Sequence, residues 1–160
     1  MFYITVMHIF EKKIKDLDLV IPDIATPIAN YLPYKISGNK IYVSGQAPMK
    51  NGSIIYKGKV GEDISEEEGI MAAELCCINI IAVLKNAINN DWEKLEEFIK
   101  IGGFVNCNES FNNHPKIING ASDLLVKIFE EKGKHSRFAV GSNSLPMNMA
   151  VEIEAIIKLK

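Results

Sequence analysis

The sequence predicts an α+β sandwich, a mixed sheet of about six strands with two main helices on one face. Three observations carry this. Apolar residues recur at helical spacing in two long windows, 66–88 and 115–129. Short alternating segments of strand type lie around them. Their order along the chain is strands, helix, strand, helix, strand, strand, which lays both helices on one face of a single sheet.

The N-terminal segment MFYITVMHIF is apolar but has no basic n-region, and no small-residue cleavage site follows, so it is not read as a secretory signal. Met7 is an alternative start. Residues 1–30 read as a leader, with a short helix over Ile9–Leu17 and a proline-containing connector, Ile21-Pro22-Asp23-Ile24-Ala25-Thr26-Pro27. Residues 31–160 form the domain proper. Lys40-Ile41-Tyr42-Val43-Ser44 alternates as a half-buried strand does. A turn at Lys50-Asn51-Gly52 joins Ser53–Lys57 to it as a hairpin.

Ser65-Glu66-Glu67-Glu68 is a capping box that starts the first long helix. Ile70, Ala73, Cys77, Ile80, Ile81, Leu84 and Ile88 mark its inner face, and Asn89-Asn90-Asp91 ends it. Residues 96–107 read as a strand in which Gly102-Gly103 signals a bulge or a close backbone approach. Pro115 suits the first turn of the second helix. Ile117, Ile118, Ala121, Leu124, Leu125, Ile128 and Phe129 supply its apolar face, with Gly133 as C-cap. Two strands close the chain, near Arg137–Gly141 and Ala150–Leu159.

Composition narrows the class. With 160 residues, 48% hydrophobic and 24% charged, the chain is one domain and not a disordered one. No run approaches ~18 consecutive apolar residues, so a membrane span is not expected. The net charge of −2 argues against a broad nucleic-acid surface. Cys76, Cys77 and Cys107 are odd in number and two are adjacent, a poor disulfide framework that points to a reducing, cytoplasmic setting. They contain no CxxC, and His8, His114 and His135 lie far apart, so no metal site is expected. Cys77 falls on the helix's inner face and reads as core. Among eighteen basic residues the only arginine is Arg137.

The last strand adds a clue. Val151, Ile153, Ala155, Ile157 and Leu159 point one way and suit the helix layer; Glu152, Glu154, Ile156 and Lys158 point the other. Tyr42 and Ser44 share a comparable mixed face. Such a surface suits contact with another subunit.

Several segments together resemble the RidA (YjgF) family: Asn30-Tyr31, Gly38-Asn39, Val43-Ser44-Gly45-Gln46-Ala47-Pro48, Gly103-Phe104-Val105-Asn106, Ser136-Arg137, Leu145-Pro146 and Val151-Glu152-Ile153-Glu154-Ala155. The resemblance runs from about Tyr31 to the C-terminus. It implies a chorismate-mutase-like fold, assembly as a homotrimer with clefts between subunits, and cofactor-free hydrolysis of 2-imino or enamine acids such as 2-iminopropanoate and 2-iminobutanoate.

In that family an arginine before the penultimate strand holds the substrate carboxylate, and Arg137 matches it. A guanidinium forks onto a carboxylate with parallel charge-assisted bonds, which lysine cannot reproduce. Glu152 matches the glutamate that orients water, with Glu154 the alternative on the same face. Tyr31 lies thirteen residues before Ser44, the family spacing for the tyrosine that closes the cleft; Tyr34 takes its place if a gap intervenes. Asn119 matches an asparagine of the second helix. Ser44, Gly45 and Gln46 shape the cleft through their backbone, since no His–carboxylate relay to a serine nucleophile is legible. The chain departs from the family at Ala139, where many members have cysteine. Its long leader and its lengthened stretch Asn106–Asn119 resemble a longer subgroup. Two other functions stay open: a carboxylate-binding module without turnover, and an endoribonuclease or translation inhibitor.

Overall fold

The structure, a computed structural model, describes residues 7–24 and 30–160. The expected start of the leader and the end of its connector (1–6 and 25–29) lie outside these.

Helix α1 covers Ile9–Asp16. The strands are β1 (Tyr34–Ser37), β2 (Lys40–Gln46), the short β3 (Met49–Lys50) and β4 (Ser53–Ile54), β5 (Leu95–Asn106), β6 (Ser136–Ser142) and β7 (Val151–Leu159). Two long helices, α2 (Glu66–Ala87) and α3 (His114–Phe129), lie between β4 and β5 and between β5 and β6. The main sheet has five strands in the order β1-β2-β7-β5-β6. Only β5 and β6 are parallel; every other neighbour is antiparallel. The sheet is mixed as expected but holds five strands instead of about six. The Asn51-Gly52 turn, with both residues at positive φ, closes β3–β4 into a separate hairpin.

Both ends of α2 follow the sequence. The Ser65 hydroxyl accepts from the Glu68 amide at 3.1 Å and the Glu68 carboxylate accepts from the Ser65 amide at 2.8 Å. Asn89 and Asn90 leave the helix in the left-handed region, which asparagine tolerates. Ala72, Cys76, Ala82 and Val83 are buried beside the expected inner face, so α2 is enclosed on two sides, by the sheet and by α3. By length and composition α2 is apolar enough to cross a bilayer, although charged and polar residues break its apolar run in the sequence. Here that apolar surface is core: Cys76, Cys77, Ile80, Ile81 and Leu84 are buried.

On α3 every expected apolar residue from Ile117 to Phe129 is buried, each large one contributing ~1.5–3 kcal/mol. The helix ends otherwise than expected. Glu130, not Gly133, takes the positive-φ position after Phe129. Gly133 instead lies where a Cβ would sit 2.2 Å from the Leu125 carbonyl oxygen. Gly102 and Gly103 are close approaches, not bulges: Phe138 covers Gly102 on one face and Ile118 covers Gly103 on the other. Helix α1 packs Phe10 against Phe129 and Trp92, with ring centroids 4.9 and 6.1 Å apart.

Candidate functional site

Strand register assigns each candidate residue to a face. Arg137 pairs with Ile101, and Ile101 with Ala155, so Arg137 stands in the row that faces the helices. Glu152 pairs with Phe104, and Phe104 with Val140, in the row that faces away. Within one chain, Arg137 and Glu152 are therefore on opposite sides of the sheet.

Arg137 is half-buried over α3 at the sheet edge. Its Nη1 donates to Ser122 Oγ at 3.0 Å and its Nη2 to the Pro115 carbonyl at 3.2 Å. Of the five N–H donors of a guanidinium, these bonds use one on each terminal nitrogen, and the rest remain for a ligand. Asn119 lies on the same stripe of α3, four residues after Pro115 and three before Ser122. Its side chain is exposed. Ala139, two residues past Arg137, continues the row and is half-buried.

On the outer face, β2 and β7 change register between Val43–Ala155 and Gln46–Ile153, which places Ser44 and Gly45 in a bulge opposite Glu154. The bulge and the missing side chain at 45 seat the Glu152 carboxylate: a Cβ on Gly45 would lie 2.1 Å from Glu152 Oε1. Burial raises the Glu152 pKa, and the Glu154 carboxylate adds to the rise. Glu154 lies over Gly102. Phe104, Val140 and Tyr42 are exposed around these carboxylates, and Phe104 meets Phe138 edge-on at 5.2 Å.

Ser44 does not face a ligand with a free hydroxyl. Its Oγ donates to the Leu32 carbonyl at 2.7 Å and its amide to the Pro33 carbonyl, which ties the segment carrying Tyr31 to β2. Tyr31 is 56% exposed. It shares a shallow depression with Leu32, Tyr34, Tyr42 and Ser44. Tyr34 is committed elsewhere, its hydroxyl donating to Asn86 Oδ1 at 3.3 Å. Of the two tyrosines, Tyr31 is the one left available.

Over residues 11–158 the chain matches the family model described as "YjgF/chorismate_mutase-like, putative endoribonuclease". The chain belongs to this family. It is 35% identical to protein TCP17 of Trypanosoma cruzi over 89% of both chains. An Agrobacterium tumefaciens protein of unknown function superposes with a TM-score of 0.90 at 43% identity, covering 95% of this chain and 93% of that one. A Shewanella oneidensis protein described as a "putative endoribonuclease" superposes equally well at 34% identity, over 95% of this chain and 100% of its own. The YjgF-family fold thus includes α1 from Glu11 onward in the matched span.

Sequence reasoning missed two polar clusters of this YjgF-family chain. His135 Nε2 lies 3.0 Å from Ser122 Oγ, and His135 Nδ1 lies 2.6 Å from the Gly133 carbonyl oxygen. The signal was present: Ser122 shares a helical stripe with Pro115 and Asn119, and His135 lies two residues before Arg137. Beyond Ala139 on the same row, Gly141 is covered by His114 and Cys107, whose Nε2 and Sγ are 3.4 Å apart. Burial pushes the Cys107 thiol pKa up, which keeps it protonated at neutral pH.

Proposed function

We propose that this chain hydrolyses 2-imino or enamine acids to 2-keto acids and ammonia, in a cleft between copies arranged as a homotrimer. The observation that carries this is the half-buried Arg137 guanidinium, held at the sheet edge by Ser122 and Pro115 with donors to spare. Such a fork suits a small carboxylate. Because Glu152 lies on the other sheet face, the two groups meet only if a second copy brings its outer face against the first copy's edge. The exposed Phe104, Val140 and Tyr42 on that outer face support such contact.

In the proposed cycle Arg137 grips the carboxylate, Asn119 lies alongside, and Tyr31 closes the mouth. Glu152 takes a proton from water as its oxygen bonds to the imine carbon. Glu152 passes that proton to nitrogen to give a carbinolamine. It then moves the hydroxyl proton to nitrogen as the C–N bond breaks and the C=O bond forms, so that ammonia and keto acid leave. The raised pKa of Glu152 makes its carboxylate the stronger base for that exchange. Orientation and fixed dipoles supply the acceleration.

The test follows keto acid release from imino acid generated in situ, against the spontaneous rate in the same buffer. A rate above the spontaneous one that falls steeply in Arg137→Ala supports the enzyme. Saturable carboxylate binding with no acceleration would make the chain a binding module instead. A monomer in sedimentation at micromolar concentration would remove the shared cleft. RNA cleavage that needs Arg137, in nuclease-free protein, would favour the endoribonuclease named in the family description.

A further inference from the structure

The row of groups behind Arg137 forms a continuous hydrogen-bonded chain that the proposed cycle does not use. The Gly133 carbonyl can only accept, so at 2.6 Å it requires the proton on His135 Nδ1. In the neutral ring Nε2 is then an acceptor, and the Ser122 hydroxyl at 3.0 Å donates to it. That leaves the Ser122 lone pairs for Arg137 Nη1, also at 3.0 Å. Every polarity in this sequence is determined by a backbone oxygen at one end and a guanidinium at the other. The ring's neutral form is favoured by burial, and the Arg137 cation works in the same direction against the Gly133 bond.

We propose that Ser122 and His135 are positioning residues for Arg137, locking the rotation of its guanidinium before any ligand arrives. A free hydroxyl could turn its lone pairs away. His135 prevents this by claiming the hydroxyl proton, which aims the lone pairs at Nη1. The Pro115 carbonyl holds the other terminal nitrogen at 3.2 Å, so the plane of the fork is defined by contacts at both Nη atoms. A preoriented fork spares a carboxylate ligand the entropy of ordering it. Only this ligand-binding consequence rests on the function proposed above.

Arg137 is the only arginine in the chain, so its side-chain nitrogen resonances are assigned without further labelling. Nitrogen-15 spectra of the free protein should show His135 protonated at Nδ1 and hindered rotation of the Arg137 terminal nitrogens. Ser122→Ala and His135→Phe should each release that rotation, while Ser122→Thr keeps it. Titration with pyruvate should then show dissociation constants about fivefold weaker in the first two variants, the worth of one ordinary hydrogen bond. Neither change should add to Arg137→Ala, a coupling that a purely structural role would not produce. Free rotation in the wild type, or unchanged rotation in folded His135→Phe, overturns the proposal. Locked rotation without pyruvate binding leaves the positioning intact and removes the carboxylate site.

Discussion

Replacing Arg137 separates charge from geometry at this site. The guanidinium is half-buried, and its bonds to Ser122 Oγ and the Pro115 carbonyl are 3.0 and 3.2 Å long. Truncating one partner of a desolvated ion pair costs ~2–5 kcal/mol. Partial exposure here favours the lower part, about 2–3 kcal/mol. Arg137→Ala should thus lower kcat/KM for a 2-imino acid about 30- to 160-fold, at 1.36 kcal/mol per decade. Arg137→Lys keeps the charge, but one nitrogen must serve Ser122, Pro115 and the ligand from three donors without the planar fork. It should recover less than about tenfold of the loss. Steady-state rates with the imino acid formed in situ, corrected for spontaneous hydrolysis, measure both variants. Full activity in Arg137→Lys would refute the argument from the fork, and full activity in Arg137→Ala would refute the anchor.

Gly45→Ala places a methyl 2.1 Å from where Glu152 Oε1 lies, so the carboxylate must swing aside; kcat should fall on the order of 10- to 100-fold with little change in thermal midpoint. Glu152→Gln tests the raised pKa. The folded chain holds that proton more tightly than the unfolded one, whose carboxyl titrates near the ordinary 4.5. The stability this group contributes is therefore complete below that value and is lost as pH rises through the folded value. The Gln variant should melt higher than wild type at neutral pH, and its advantage should shrink in acid; a variant that melts lower at pH 7 contradicts the burial of the charge. Phe10→Ala removes the ring packed on Phe129 and Trp92 and should cost about 3 kcal/mol, roughly 6–12 °C in thermal midpoint. An unchanged midpoint would mean that α1 is not part of the cooperative unit.

Elements with a local chemical cause were readable from the residues. The Ser65–Glu68 box, the Asn89-Asn90 exit and the Asn51-Gly52 turn each satisfy their own backbone, so their geometry is written within a few positions. The alternation of β7 likewise predicted which side of the sheet each residue faces, and burial follows it from Val151 to Ile157. What failed depends on a distant partner. Gly133 looked like a helix cap because glycine is the usual residue there; the Leu125 carbonyl it accommodates is brought close by the 3₁₀ turn Glu130–Gly133 that follows α3. The Ser44–Gly45 bulge is a property of the pairing with β7, not of either strand alone. Ser122 and His135 are thirteen residues apart, and only the docking of α3 against β6 makes them neighbours.

The division of Arg137 and Glu152 between two faces has an electrostatic consequence. Glu152 already loses enough water within one chain for burial to raise its pKa, with Glu154 beside it opposing ionisation. A second copy covering Phe104 and Val140 would strip further water from both carboxylates and raise the pair's protonation again. The incoming guanidinium of that copy would push the other way, favouring the ionised form at short range. In the proposed assembly the protonation state of Glu152 would thus depend on which part of a second copy reaches it first, apolar edge or cation. In the proposed shared cleft those two influences would arrive together, so assembly and the Glu152 pKa would be set by the same contact.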